Sequence, residues 1–297
     1  MARPIMVAVG GDSGTGKATL CEGLRAIFGD ERCTEVRLDG YLALNRAERN
    51  AVGMTALDPR AHDFAAMDDD LAQLARGGTI TKPVYDHLRG AISSTETCEP
   101  KDIVLVQGLF PLYTRVLRSL FDVAVWLEPD ANLKHDWMVH RDTTQRGYRE
   151  EQVRAEIERR KGDYEKYIAP QAEYADIRAS FTDSGVTFHK SGRLPPLNYA
   201  EFASDATRLR TIDEGPGPYP RTVIEVDDTI DETTARAIED AIWERIGARH
   251  AASRPSDLGA FDGKYGPGRS QTLAITQMLI ARRIALVAEH LSGAVAA

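Results

Sequence analysis

Apolar residues follow two alternating patterns through about residue 190. Short apolar runs, typical of buried strands, are IMVAV at 5–9, TEVRL at 34–38, IVLVQGL at 103–109 and VAVWLEP at 123–129. Segments with a helical apolar period predict helices over 17–28, 65–76, 113–121, 131–146 and 150–168. This alternation predicts an α/β fold, with a parallel-rich mixed sheet and helices on both faces.

The segment TITKPVYDHLRGAISSTETCEP, residues 79–100, interrupts this alternation. It has two extended stretches on either side of the turn-like HLRG. We therefore predict an antiparallel hairpin that lies beside the main sheet as a flap.

The character of the chain changes after about residue 190. Pro195 and Pro196, and then EGPGPYP at 214–220, predict loops that break regular structure. We therefore divide the chain into a core, residues 1–190, and a smaller C-terminal strand-and-helix extension packed on that core, residues 191–297.

Within the extension, RTVIEVDD at 221–228 predicts a strand, and residues 253–270 predict a loop. Thr229 and Glu232 form a capping-box pattern ahead of an amphipathic helix. The last predicted helix, 271–291, is apolar on more than one side, so it is buried in the domain or lies at a subunit contact. The second alternative would make the protein a homo-oligomer.

Composition and charge narrow the possible partners. The 297 residues carry 37 basic and 45 acidic side chains, and this net charge of −8 argues against non-specific nucleic-acid binding. Three cysteines without metal-ligand spacing indicate neither a disulfide framework nor a zinc site. No apolar run reaches the ~20 residues of a membrane span. We expect a cytoplasmic protein with a small-molecule substrate and with no membrane or nucleic-acid partner.

The stretch GGDSGTGKAT, residues 10–19, lies between the first predicted strand and the first predicted helix. It fits G-x-x-x-x-G-K, a pattern whose backbone N–H groups surround phosphate oxygens while the lysine neutralises the outer phosphates. A glycine-rich turn that binds nothing is the alternative, but the flanking strand and helix are the context that the motif requires. The predicted ATP-binding residues are Gly11, Asp12, Ser13, Gly14, Thr15, Gly16, Lys17, Ala18 and Thr19.

Further stretches occur in order over about residues 5–180: GDSGTGKAT, RLDGYLALNR, TALDPRAHDF, KPVYDH, QGLFPLY, HRDTTQRGY and YIAPQAEYAD. With them, the chain resembles the phosphoribulokinase and uridine kinase family, and within it the branch of cyanobacterial and plant type. The resemblance implies a P-loop kinase fold that transfers the γ-phosphoryl group of ATP, with Mg²⁺, to a hydroxyl group of a sugar. Beyond about residue 190 the resemblance is too weak to assign residue roles.

The resemblance also implies roles for residues near the acceptor. Asp39, at the end of the second predicted strand, matches the family's catalytic aspartate and is the predicted general base. Arg46 matches an arginine that contacts the sugar phosphate, and Tyr85 and His87 match residues of the substrate loop. Taken singly, these residues also have structural explanations, as a turn aspartate, a surface charge or a core histidine.

In HRDTTQRGY, Arg141 and Arg146 are five residues apart with Asp142 between them. These three side chains share a helical face only if the helix ends nearby, and Gly147 favours such an end. The resemblance makes this region a lid whose arginines contact the transferring phosphoryl group or the substrate phosphate. The alternative is a solvated helix end with an Arg–Asp pair. The charged run that follows, 149–167, is predicted to be an exposed helix with i,i+4 ion pairs.

Two departures from the family's pattern concern the metal. Ala18 stands where a hydroxyl residue normally contacts Mg²⁺, so that either Thr19 substitutes or the metal relies more on carboxylates and water. Gln107 stands where the family has an acidic residue at the end of the third core strand. An amide cannot offset the charge of Mg²⁺ as a carboxylate would. Thr19 and Gln107 are the candidate metal-contacting residues.

Other departures concern the acceptor pocket. Gly40 and Leu42 replace an aspartate and a histidine of the family, Phe110 replaces a second histidine, and Met138 replaces a lysine. A pocket that is less cationic favours a substrate with less phosphate charge or another shape. Thr15 replaces the loop cysteine through which the plant-type enzyme is regulated, so that this disulfide is excluded here.

Together with these observations, the resemblance implies a sugar kinase that phosphorylates D-ribulose 5-phosphate to the 1,5-bisphosphate. Its predicted catalytic residues are Lys17, Asp39, Arg141 and Arg146, and its predicted substrate-binding residues are Arg46, Tyr85, His87 and Arg141. A kinase for another sugar phosphate or for a nucleoside is the second hypothesis. A non-catalytic nucleotide-binding regulator is the third, although such a sensor has no use for a hydroxyl-deprotonating base.

Overall fold

The structure, a computed structural model, describes residues 3–190, 207–212, 221–246, 254–263 and 266–295. Its strands are β1 (Ile5–Gly10), β2 (Cys33–Arg37), β3 (Ile80–Asp86), β4 (Ala91–Cys98), β5 (Ile103–Gly108), β6 (Val123–Leu127), β7 (Ile177–Thr182), β8 (Gly185–Lys190), β9 (Thr207–Ile212), β10 (Arg221–Asp227), β11 (Ala260–Gly263) and β12 (Gly266–Arg269). Its helices are α1 (Lys17–Phe28), α2 (Arg46–Ala51), α3 (Phe64–Ala75), α4 (Arg115–Leu120), α5 (Ala131–Thr144), α6 (Glu150–Arg159), α7 (Lys161–Asp163), α8 (Glu232–Ile246) and α9 (Gln271–Val295).

An eight-stranded sheet forms the centre of the fold, in the order β2-β5-β1-β6-β7-β8-β10-β9. Neighbouring strands from β2 to β7 are parallel, and those from β7 to β9 are antiparallel. Gln107 of β5 pairs with Val9 of β1 on one side and with Arg37 of β2 on the other. The carboxyl ends of these three strands therefore meet at one edge, where ligands bind in open α/β sheets. The predicted parallel-rich mixed sheet is confirmed.

Successive residues of β1 divide the core in two. Ile5, Val7 and Val9 belong to an apolar cluster with α1, α8 and α9, whereas Met6 and Ala8 belong to a second cluster with α3 and α4. This arrangement follows from the two-residue period of a strand, which sends alternate side chains to opposite faces. Helices therefore cover both faces of the sheet, as predicted.

The predicted hairpin is confirmed as β3 and β4, which pair antiparallel with an irregularity between Val84 and Tyr85. The hairpin packs on the 3-10 turn Leu38–Tyr41 that follows β2. A β-carbon at Gly40 would collide with the carbonyl oxygen of Pro83. Glycine at this position therefore lets the hairpin approach the turn that carries the predicted base.

The C-terminal extension continues the main sheet. The strand predicted over 221–228 is confirmed as β10, which pairs with β8, whereas β7, β8 and β9 were not predicted. The division at residue 190 stays a prediction, because Pro195, Pro196 and the segment 214–220 lie outside the described residues. The last predicted helix is α9, which packs on α1 and α8 and whose middle is buried in the core. Among the described helices, none has the length and apolar character needed to cross a bilayer.

Two local predictions in the extension are wrong. Asp231, and not Thr229, lies at the start of α8, where its Oδ1 accepts a hydrogen bond of 2.9 Å from the Thr234 N–H. The Thr229 hydroxyl donates instead to Asp227 at 2.6 Å. The segment 253–270, predicted as a loop, contains the hairpin of β11 and β12.

The helical pattern over 150–168 forms three pieces rather than one helix. After α6 and α7, residues Tyr164–Ile168 form a single π-helical turn. α5 precedes them and is capped by Asp130, whose Oδ1 accepts hydrogen bonds from the N–H groups of Asn132 and Leu133. The region that the sequence identifies as a lid, residues 140–148, comprises the end of α5 and the residues that lead to α6.

Candidate active site

The predicted phosphate loop joins β1 to α1. Gly14 and Gly16 have φ angles of 76° and 85°, a left-handed conformation that glycine adopts without strain. Gly16 is the residue that immediately precedes the first turn of α1. The unpaired N–H groups of a helix N-terminus attract anions, so this geometry suits the phosphates of a nucleotide.

Lys17 extends back over the loop. Its Nζ donates to the carbonyl oxygens of Gly11 at 2.9 Å and of Asp12 at 2.5 Å. Burial lowers the pKa of Lys17 to about 7, and the charge of Arg141 acts in the same direction, while Asp39 opposes them. A bound phosphate would favour the charged ammonium, because it brings negative charge to a buried group.

Asp39 lies in the turn that follows β2, and its Oδ2 is 3.1 Å from Nε2 of His87 in the β3–β4 hairpin. Burial by itself would raise the pKa of Asp39. The hydrogen bond from His87 and the positive charges of His87, Lys17 and Arg146 outweigh burial, and the pKa lies well below its usual value. Asp39 is therefore a carboxylate throughout the physiological pH range.

Arg46 and Tyr85 line the same hairpin. One Nη of Arg46 donates to the His87 carbonyl oxygen at 2.5 Å, and its guanidinium lies 5.3 Å from the centre of the Tyr148 ring. Buried Arg49 donates to the Tyr85 hydroxyl at 3.2 Å. The sequence did not single out Arg49, although its place three residues after Arg46 on one short helix was a usable signal.

The two lid arginines share one carboxylate. Arg141 donates to Asp142 Oδ1 at 2.7 Å and to the Ser13 hydroxyl at 3.0 Å, and Arg146 lies 3.3 Å from the same Asp142 oxygen. α5 ends two residues after Asp142, as the spacing of these side chains requires. The ion pair with Asp142 is therefore present, and it holds both arginines beside the phosphate loop.

A buried cluster that the sequence did not predict ties the lid to the loop. Arg160 pairs with Asp12 Oδ1, and Lys134 Nζ lies 3.3 Å from Asp12 Oδ2. Burial lowers the pKa of Arg160 to about 10. The prediction of an exposed helix over 149–167 holds for pairs such as Arg154 with Glu150 but is wrong for Arg160, which is buried.

Thr19 and Gln107, the candidate metal-contacting residues, share no hydrogen bond in the part of the chain that the structure describes. Gln107 donates from Nε2 to Glu35 Oε1 at 2.6 Å. Glu35 also accepts from Arg25 and Arg37, at 3.2 and 2.8 Å. The backbone carbonyl oxygen of Thr19 accepts a hydrogen bond from a side chain of α9. Successive residues of an α-helix are rotated by ~100°, so the Thr19 side chain points in a different direction around α1 from that of the preceding residue. Their role at the metal stays a prediction.

The positions that depart from the family's acceptor pattern lie in packed surroundings. Phe110 meets the ring of His62 edge-on at a centroid distance of 4.6 Å, and Leu42 forms an isolated β-bridge with His62. Met138 is 4% exposed and lies against Gly14 of the phosphate loop. Apolar packing therefore occupies the places where the family has charged or titratable side chains.

A phosphate loop joined by a lysine, an aspartate and two arginines from a lid is the arrangement of a P-loop kinase. The sequence profile of the Phosphoribulokinase / Uridine kinase family matches residues 6–183, and the chain belongs to this family. In the described structure, Lys17, Asp39 and the two lid arginines are close enough to affect one another's charge.

Curated relatives agree with this membership. The chain is 41% identical over 175 residues to a phosphoribulokinase of Synechocystis sp., an alignment that covers 59% of this chain and 53% of that protein. It is 34% identical over 191 residues to a chloroplastic phosphoribulokinase of Triticum aestivum, covering 59% and 47%. A uridine kinase of Clostridium perfringens is 28% identical over 181 residues, covering 60% of this chain and 87% of that protein. The chain spans about half the length of the phosphoribulokinases that it matches.

Among solved structures, phosphoribulokinase from Rhodobacter spheroides superposes with a TM-score of 0.60 and 18% sequence identity. The match covers 82% of this chain and 97% of that chain. At this level of identity the likeness shows the fold, and it extends beyond the region that the family profile matches.

Proposed function

We propose that this protein transfers the γ-phosphoryl group of ATP to a hydroxyl group of a sugar phosphate, with D-ribulose 5-phosphate as the acceptor and ribulose 1,5-bisphosphate as the product. The observation that carries the proposal is the Asp39 carboxylate. It faces His87 at 3.1 Å and lies within the field of Lys17, at the carboxyl edge of the sheet beside the phosphate loop. The names of the phosphoribulokinase relatives support this choice of acceptor.

The residues of the phosphate loop and of the lid are of the chemical types that bind and align a nucleotide. The N–H groups at the start of α1 bind phosphate oxygens, Lys17 neutralises the outer phosphates, and Arg141 and Arg146 reach the phosphoryl group as it transfers. Phosphoryl transfer depends mainly on such alignment and charge neutralisation.

Mg²⁺ would neutralise the phosphates further, as it does in other kinases of this chemistry. Among the described residues, no cluster of three or more His, Cys, Asp or Glu side chains is arranged to hold a metal. Mg²⁺ is usually held by one or two protein groups together with substrate phosphates. Thr19 and Gln107 are the groups that we propose for it.

Asp39 accepts the proton of the acceptor hydroxyl. The hydroxyl becomes acidic as its oxygen bonds to phosphorus, so a carboxylate of low pKa is a sufficient acceptor late in the step. His87 orients the carboxylate through the 3.1 Å contact, and Arg46, adjacent to the His87 carbonyl, is placed to bind the phosphate of the acceptor.

A nucleoside or another sugar phosphate is the second candidate for the acceptor. It is favoured by the apolar packing of Leu42, Phe110 and Met138 and by the likeness to a uridine kinase. A non-catalytic regulator is less well supported, because the Asp39–His87 pair serves a proton transfer that a sensor does not perform.

The test is ADP release measured with Mg²⁺ and ATP across pentose phosphates, free pentoses and nucleosides, with the product identified by ³¹P NMR. The proposal predicts that D-ribulose 5-phosphate gives the highest kcat/KM and a bisphosphate product. Faster phosphorylation of uridine would replace this acceptor by a nucleoside. Nucleotide binding without transfer to any acceptor would favour the regulator. A cytoplasmic location and a homo-oligomeric state are two further proposals.

A further inference from the structure

Helix α5 lies across the phosphate loop. Successive turns of this helix contact the loop. The side chains on these turns are therefore the ones that a nucleotide bound at the loop would contact. The contacts join Lys134 to Asp12, Trp137 to Gly16, Met138 to Gly14 and Arg141 to Ser13.

Trp137 is the aromatic member of this set, and the proposed mechanism does not use it. Its indole Cζ3 lies 3.9 Å from the point that a β-carbon on Gly16 would occupy. The ring meets Phe181, at the carboxyl end of β7, at a centroid distance of 6.1 Å and an angle of 63°. Trp137 is nevertheless 37% exposed, whereas the next residue, Met138, is 4% exposed. A partly exposed indole therefore lies beside the first turn of α1.

The chemistry around the loop determines what this face can meet. Asp39, Arg141 and Arg146 are near enough to Lys17 to affect its charge, and we place the transferring phosphoryl group on their side of the loop. Trp137 precedes Arg141 by four residues, which places it on the same side of α5 but about 6 Å further along the helix, away from Arg146. The nucleoside end of a nucleotide must leave the loop on the side opposite to the transfer.

We propose that Trp137 binds the adenine base of the nucleotide by stacking its indole on the base. An indole offers a large flat surface with an N–H at its edge, and base–aromatic stacking contributes a substantial share of affinity in proteins that bind nucleobases. This inference deepens the proposed function, because it rests on nucleotide binding at the same loop.

Tryptophan fluorescence of the full chain tests the proposal without measuring activity. The other two tryptophans differ from Trp137 in environment: Trp126 is 1% exposed and packs on Gly10 ahead of the phosphate loop, and Trp243 packs against the core from α8. Titration with ATP is compared with titration with inorganic tripolyphosphate, which has the phosphates without the base. We expect ATP to quench the fluorescence, tripolyphosphate to leave it nearly unchanged, and Trp137→Phe to remove the quenching. The matched control, Trp243→Phe, is expected to keep the quenching by ATP.

Affinity gives a second readout. Trp137→Leu is expected to weaken ATP binding on the order of tenfold, since it removes the stacking surface, while the affinity for tripolyphosphate stays within about twofold. Equal weakening for both probes, unchanged ATP affinity, or quenching that persists in Trp137→Phe would overturn the proposal. If Trp137→Leu does not fold, the fluorescence of Trp137→Phe decides the question.

The proposed function and the base-binding role of Trp137 can each be disproved independently of the other. Quenching that depends on Trp137 in a protein that phosphorylates no acceptor would overturn the proposed function and leave the base-binding role standing. Phosphoryl transfer to a sugar phosphate with ATP affinity unaffected by Trp137→Leu would do the reverse.

Discussion

Nε2 of His87 lies 3.1 Å from Oδ2 of Asp39, which links the tip of the β3–β4 hairpin to the turn after β2. Two segments that are far apart in the sequence thereby meet at the proposed general base. The contact and the low pKa of Asp39 make the carboxylate available at every physiological pH.

Replacing Asp39 by asparagine tests the base. Asp39→Asn keeps the shape of the side chain but removes the proton acceptor, so we expect turnover to fall by about 10²–10⁴-fold, the usual contribution of a positioned acid or base. The affinity for ATP, measured by calorimetry, is expected to change little. A loss of turnover below tenfold in a folded variant would place the base elsewhere.

Lys17 predicts a pH dependence of nucleotide binding. Its pKa is lowered to about 7 by burial, so the lysine of the free protein is largely neutral at pH 8. Bound phosphates raise that pKa, and ATP binding at pH 8 should therefore take up protons, an uptake that fades well below pH 7. Calorimetry in buffers of different ionisation enthalpy measures the uptake.

The control for this linkage is Lys17→Ala. This variant is expected to bind ATP more weakly, to lose phosphoryl transfer and to show no proton uptake from this position. Equal uptake in the variant and the wild type would show that the protons go to another group.

The Gln107–Glu35 hydrogen bond changes the test of the metal site. Gln107→Glu alone restores a carboxylate but places it against Glu35, to which Gln107 donates at 2.6 Å. The double variant Glu35→Gln with Gln107→Glu keeps one carboxylate and one amide in contact. We expect it to lower the Mg²⁺ concentration for half-maximal activity relative to the wild type. An unchanged or higher requirement would show that Gln107 is not near the metal.

Asp12 predicts a cost in stability. Asp12→Asn leaves Arg160 buried with its charge unpaired, and breaking one partner of a buried pair costs about 3–5 kcal/mol. Urea unfolding of the variant measures this loss in the free energy of unfolding. The matched control is Glu150→Gln, which breaks the exposed pair with Arg154 and should cost at most about 1 kcal/mol. Similar values for both variants would contradict the buried role of Asp12.

The parts that the sequence predicted well are those set by local pattern. The phosphate loop needs only the glycines, Lys17 and the flanking strand and helix, which are all contiguous. The hairpin was visible from two extended stretches around one turn. The Thr229 capping box was wrong because Asp231 lies directly before α8 and competes for the same N–H groups.

The contacts that the sequence did not predict join distant residues. Asp12 and Arg160 are separated by 148 positions, and Gln107 and Glu35 by 72. Nothing in the local spacing of either pair marks it, and Arg160 lies within a charged run whose other members are mostly exposed. The sequence did not predict β7 and β8, because polar residues at alternate positions interrupt them. These strands therefore lack the long apolar runs of the central strands.

The most direct test of the central claim is to measure how strongly the protein prefers a phosphorylated acceptor. The quantity to measure is the ratio of kcat/KM for D-ribulose 5-phosphate to kcat/KM for free D-ribulose, with uridine measured alongside. Arg141 and Arg146 act on the charge of Lys17, and Arg46 donates to the carbonyl oxygen of His87, the partner of Asp39. We therefore predict a ratio of at least about tenfold, or about 1.4 kcal/mol of transition-state binding. Arg46→Ala should remove most of that preference and leave the KM for ATP nearly unchanged. Equal or faster turnover of free D-ribulose or of uridine would contradict the account.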